Sequence, residues 1–132
     1  MIKERYCSFE ISKLLREKGF NEPIAEFYNS SGVVLYARVK IRFRLSELSG
    51  VYYPHITHQM ACDWLRNKGY HIEIYANASG YRFIISKTPP DGTDLVCDVE
   101  GNNNGGAWDD YGECEESAIK YCLTKLVKGG VK

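Results

Sequence analysis

Residues 57–76, THQMACDWLRNKGYHIEIYA, contain one helix, one stop signal and one alternating strand. Thr57 has the chemistry of an N-cap, a hydroxyl able to accept from an unpaired N–H of the first turn. Met60, Ala61, Trp64 and Leu65 recur at helical spacing and form one apolar stripe. Lys68 sits in the last turn, where the helix dipole favours a cation, and Gly69 follows where a left-handed residue is needed. Tyr70 is then placed to fold back onto Leu65 in a Schellman stop. Beyond it Ile72, Ile74 and Ala76 alternate with His71, Glu73 and Tyr75, the period of a strand.

Working outward toward the N-terminus, Ser8 is a candidate cap for a helix running to about Lys18, with Glu10 in its first turn. Ile11, Leu14, Leu15 and Lys18 give its stripe, and Gly19-Phe20 repeats the Gly69-Tyr70 stop. Ile24 to Tyr28 reads as a strand and Asn29-Ser30-Ser31-Gly32 as its turn. Leu35, Ala37, Val39, Ile41, Phe43 and Leu45 alternate with Tyr36, Arg38, Lys40, Arg42 and Arg44. That pattern predicts a half-buried strand with one apolar and one basic face. Ser46 to Pro54 reads as a loop.

Toward the C-terminus the chain continues as a meander. Asn77-Ala78-Ser79-Gly80 is a turn, Tyr81 to Lys87 a strand, Thr88 to Gly92 a turn and Thr93 to Glu100 a strand. Gly101 to Asp109, GNNNGGAWD, reads as a flexible loop. Asp110-Tyr111-Gly112-Glu113 has capping-box spacing, and Ile119, Cys122, Leu123 and Leu126 share one face of the helix it opens. The predicted architecture is a single α+β domain over residues 1–132, in the order α-β-β-α-β-β-β-α. Its antiparallel sheet has four or five strands, with three helices packed on one face.

Composition narrows the function classes. Lys and Arg total 17 against 17 for Asp and Glu, so no net field draws the chain toward nucleic acid or anionic lipid. Neither a signal peptide nor a membrane span is apparent, and five cysteines without paired C-x-x-C spacing imply reduced thiols. The expectation is a cytoplasmic protein.

Ser8-Phe9-Glu10, Lys18-Gly19-Phe20, Glu22-Pro23, Pro54, Trp64-Leu65-Arg66, Tyr111-x-Glu113 and Ala118 to Leu123 together resemble a family of small proteins. That family is common in Bacteroides-type gut bacteria, their phages and mobile elements, and has no established activity. Asn67, in place of an acid, and Gly112, in place of a glutamate, depart from its pattern. The matched positions are caps and core residues, so the resemblance implies a fold and carries over no functional residue.

Arg38, Lys40, Arg42 and Arg44 would stand about 6.5–7 Å apart on one strand face, a spacing suited to successive phosphates, with Tyr36 as a stacking ring. A solvated outer face, paired with acids on neighbouring strands, accounts for the same pattern. His58 and Cys62 lie at i, i+4 on a helix, but no second ligand pair accompanies them, so no metal is expected. Neither register of Asp98 to Asp109 fits a calcium loop. No nucleophile-base pair or phosphate loop stands out, and no cofactor is expected. Ten tyrosines and two tryptophans exceed the needs of one small core. Tyr52, Tyr53, Trp108 and Tyr111 lie in or beside loops, where aromatic rings suit an interface. The favoured expectation is a non-enzymatic protein-interaction module, an accessory protein of a phage or mobile element. Its partner would be a second protein or a second copy of itself. Nucleic-acid binding through the basic strand is the alternative, and a small enzyme of unspecified reaction the third.

Overall fold

The computed structural model describes residues 4–36, 41–87 and 94–127. Three α-helices and six short strands follow one another as α1 (Phe9–Glu17), β1 (Glu26–Tyr28), β2 (Val34–Tyr36), β3 (Tyr53–Pro54), α2 (His58–Asn67), β4 (Tyr70–Asn77), β5 (Gly80–Lys87), β6 (Asp94–Asp98) and α3 (Tyr111–Tyr121). The class is α+β, as the periodicity predicts. The described strands form two antiparallel sheets of three, β2-β1-β3 and β4-β5-β6, where the sequence reading expects one sheet of four or five. The chain divides accordingly into two units, one reaching to Thr57 and resuming at Leu123, the other spanning His58–Cys122. The helices are shared between them, α1 in the first and α2 and α3 in the second, so they do not all serve one sheet.

In the first unit α1 starts and stops for local reasons. The Ser8 hydroxyl accepts from the Ile11 N–H at 3.2 Å. At the other end Phe20 N–H donates to Leu15 O at 2.9 Å and Gly19 N–H to Arg16 O at 3.1 Å. Gly19 has φ of +98°, completing a Schellman motif. Phe20, the residue after the glycine, is buried with Ile11 and Leu15. Register pairs Phe27 with Leu35 on one side and with Pro54 on the other. Strand alternation therefore puts Phe27, Leu35 and Pro54 on one face, and Tyr28, Val34 and Tyr53 on the opposite one. Helix α1 packs on the second face, where the Phe9 ring meets Tyr28 at 5.2 Å and Tyr53 at 5.4 Å.

The unbroken strand expected from Leu35 to Leu45 is not what forms. Strand β2 ends at Tyr36, residues 37–40 fall outside the described residues, and Leu45 opens a 3-10 turn, Leu45–Glu47. Leu35 and Ile41, assigned to a buried face by the alternation, are exposed. Phe43 regains a bridge, exchanging hydrogen bonds with Ile24 at 2.8 and 2.9 Å. The expected loop from Ser46 to Pro54 likewise contains structure, the 3-10 turn and β3.

In the second unit β4 and β5 pair from Tyr70↔Lys87 to Asn77↔Gly80, and a bulge between Ile85 and Ser86 shifts the β5–β6 register. Helix α2 packs on β4, and α3 on β5 and β4. Ala61, Trp64, Leu65, Phe83, Ile85, Trp108, Ala118 and Ile119 are buried. Helix α3 begins where Asp110 accepts from Glu113 N–H at 3.0 Å, and a π-turn, Cys122–Leu126, extends it.

The GNNNGG loop is held by a set of side-chain hydrogen bonds. Asn103 Oδ1 accepts from the N–H groups of Gly105 (3.0 Å) and Ala107 (2.9 Å), while Nδ2 donates to Ser79 O (2.8 Å) and Asp109 Oδ1 (2.9 Å). Tyr81 and Trp108 exchange backbone hydrogen bonds at 2.8 Å, clamping the loop to β5. Gly80, at φ of +133°, is required at that clamp, because a Cβ there would overlap Trp108 O. No helix of the described residues is long and apolar enough to cross a membrane.

Candidate functional site

On the face of the β2-β1-β3 sheet opposite α1, Leu35 is exposed while Phe27 and Pro54 are buried. Asn29 sets the β1–β2 hairpin, its Oδ1 accepting from Ser31 N–H (2.8 Å) and Val33 N–H (3.0 Å). Beyond Phe43 the 3-10 turn is pinned by Asn21. Its Oδ1 accepts from Ser46 N–H at 3.0 Å, its Nδ2 donates to the Ser46 hydroxyl at 3.0 Å, and its carbonyl accepts from Arg44 at 2.8 Å. Glu47 Oε1 accepts from Arg44 N–H at 2.7 Å. These bonds hold the chain that follows over the sheet face.

Between the two lies a cleft of about 220 Å³. Phe27, Leu35, Phe43, Leu48, Ser49 and Tyr52 line it together with Tyr36, whose register with Glu26 places it on the alternate face of β2. The Tyr52 ring meets Phe27 nearly edge-on at 6.4 Å. Leu35 is 39% exposed and Tyr36 69%, and Val33, Ile41 and Val51, all exposed, belong to the same unit. Among the described residues no charged side chain lines the cleft, while Arg42 and Arg44 flank Phe43 and are exposed. A volume of this size is below the roughly 300–1,000 Å³ of small-molecule sites, and suits a single large side chain.

The α1-facing side of the sheet holds a second cluster. His55 Nδ1 lies 2.8 Å from Glu26 Oε1, and the ring stacks on Tyr6 at 4.3 Å and 2° while Tyr28 meets it edge-on at 4.9 Å. Burial, then the charges of Glu26 and Glu4, push the Tyr6 hydroxyl pKa up. A carboxylate orienting an imidazole is an acid-base arrangement, but the nearby thiol, Cys7, is buried and directed at Thr57 O at 3.8 Å. The cluster therefore has no nucleophile for the base to activate, and its packing fixes the N-terminal segment to β3.

In the second unit His58 is 5% exposed and lies between two acids. Its Nδ1 is 3.0 Å from Glu115 Oε1 and its Nε2 2.8 Å from Glu116 Oε1. Burial disfavours the charged ring, but the two hydrogen bonds and carboxylate charges outweigh it and raise the pKa to about 9. Cys62, paired with His58 in the sequence reading, directs its thiol to Glu115 Oε2 at 3.9 Å instead. Burial and the Glu115 charge push that thiol up to about 12. Among the described residues no group of three or more His, Cys, Asp or Glu is placed to hold a metal ion.

The residues singled out from sequence are scattered. Tyr36, from the basic strand, and Tyr52, from the aromatic set, come together in the cleft. Tyr53 faces the other way, under Phe9 and with the Arg16 guanidinium 5.6 Å from its ring. Trp108, an expected interface residue, is buried with its ring 5.2 Å from Phe83, because the bridge to Tyr81 draws it into the sheet. Tyr111 is exposed and meets Tyr81 edge-on at 5.6 Å. Arg42 and Arg44 are exposed, while Arg38 and Lys40 lie outside the described residues. Sequence reasoning missed Phe27, Phe43, Leu48 and Ser49 as lining residues; apolar alternation had assigned Leu35 and Phe43 to a core. Comparison with protein-family models, with curated proteins and with solved structures returned no significant match.

Proposed function

We propose that this chain is a non-enzymatic protein-interaction module whose contact surface is the cleft of the β2-β1-β3 sheet. The observation that carries this reading is the exposure of Leu35 beside a concave apolar surface that also contains Phe27, Phe43 and Tyr52. Adjoining exposed aliphatic and tyrosine side chains mark contact sites, whereas single ones do not. Nucleic-acid binding draws less support. Arg44 is committed to the Asn21 carbonyl, and the chain has no net charge to concentrate a polyanion.

The test compares wild type with Leu35→Glu, a substitution at an exposed edge position that far-UV circular dichroism should show to be folded. Light-scattering mass reads self-association, and affinity capture from the native host reads other partners. Wild-type contacts that disappear in the variant support the reading; an identical mass and an identical captured set in both proteins refute it.

A further inference from the structure

We infer that the cleft receives an aromatic side chain carried by an extended, acidic segment of another protein, which pairs with the outer edge of β2. The inference rests on the interaction reading above and specifies its occupant. Strand β2 is the outermost strand of its sheet, and among the described residues it pairs with β1 alone. An added strand would lie about 4.8 Å away and take main-chain hydrogen bonds from that edge. Its alternate side chains would then project over the Phe27–Leu35 face, which is the cleft.

Size and lining select what enters. A dry apolar cavity of about 150 Å³ is enough to hold benzene. The 220 Å³ here admits one aromatic side chain between the rings of Phe27, Phe43 and Tyr52, in the edge-on and offset contacts that aromatic groups prefer. Ser49 gives the polar end of an indole or phenol a hydroxyl to bond. Charge selects the flanks. Arg42 stands exposed beside the lining residue Phe43, and among the described residues no acid lines the site to neutralise it. A second copy of this chain fits less well, because its own β1–β2 hairpin, residues 29–36, contains no acidic residue to meet that arginine.

The probe is a short fluorescein-labelled peptide with a central tryptophan between β-branched residues and acidic residues at both ends. Three controls replace the tryptophan by alanine, the acids by lysine, or methylate alternate backbone nitrogens. Anisotropy should show binding by the parent peptide, weakened about tenfold or more by each change. Arg42→Glu should remove the preference for acidic ends, and amide resonances of Val34, Leu35 and Tyr36 should shift on binding. Equal affinity of all four peptides, or no binding by the parent, overturns the inference. So does a wild-type homodimer that Leu35→Glu dissolves, since the occupant is then a second copy. If capture from the host depends on Leu35 while the peptides bind alike, this inference fails and the interaction reading stands. Failure of both readouts removes both.

Discussion

His58 keeps a charge that burial by itself would remove. With both ring nitrogens within hydrogen-bond distance of carboxylates, the imidazolium is the form that satisfies Glu115 and Glu116 together. Its pKa moves from 6.5 to about 9 on folding. A base whose pKa rises on folding stabilises the native state fully below its unfolded value, and that contribution is lost as pH climbs through the folded value. Stability should therefore hold to about pH 6.5 and fall between there and pH 9, by of order 3 kcal/mol at most, which corresponds to roughly 10 °C in melting temperature. Thermal melts from pH 6 to 10 check this, and Glu115→Gln with Glu116→Gln should flatten the curve across that window. An unchanged slope in the double variant would show that other groups set it. No sequence pattern announces this triad. The acids lie 57 and 58 residues from the histidine, and proximity at that separation follows from α2 and α3 meeting, which neither helix encodes alone. The same holds for Tyr36 and Tyr52. Each was visible as an aromatic out of place, but their shared cleft depends on Asn21 pinning the turn that separates them in sequence.

Elements whose limits are set by neighbours in sequence were legible, and those set by distant partners were not. The Ser8 cap, the Asp110 cap and the Gly19 stop all formed where the residue chemistry placed them. Ser8→Ala and Asp110→Ala should each cost about 1 kcal/mol. Urea denaturation of the single and double variants tests this, and the two losses should add, since the caps belong to different units and share no partner. The segment from Leu35 to Leu45 failed for a different reason. Strict alternation marks an extended chain with two unlike faces but does not say which face is covered, and here Leu35 and Phe43 line an open cleft and Ile41 is exposed. The two residues of β3 are too few for any period to register. The GNNNGG loop misled through composition, because its order comes from one asparagine reaching Ser79 and Asp109. Asn103→Ala removes four such bonds and should cost about 2–3 kcal/mol, since the N–H groups of Gly105 and Ala107 lose their acceptor. Hydrogen exchange should show those two amides losing protection first; a variant with wild-type protection there would mean that the Trp108 clamp orders the loop unaided.

At the scale of the whole chain, the first unit is built from both ends of the sequence and the second from its middle. The last helix links them. Helix α3 belongs to the second unit, and its π-turn continuation, Cys122–Leu126, carries the backbone across the boundary with Cys122 and Leu123 fully buried. Chains of this length commonly unfold in one cooperative transition, and one transition is expected here. Cysteine burial supplies the reporter. Cys7 lies in the first unit, Cys114 in the second, and both are buried. Burial, then the Glu115 charge, raises the Cys114 thiol to about 11. Native protein at pH 8 should therefore react slowly with a thiol reagent at both sites, because the thiolate is the attacking form and the reagent must also reach it. Pulsed alkylation across a urea series, read by mass spectrometry at each cysteine, should give one midpoint for Cys7 and Cys114. Leu123→Ala opens a cavity just past the boundary and should lower both midpoints together, by an amount equivalent to about 2–5 kcal/mol. Two separated midpoints in wild type, or a Leu123→Ala shift confined to Cys7, would mean that the units unfold independently.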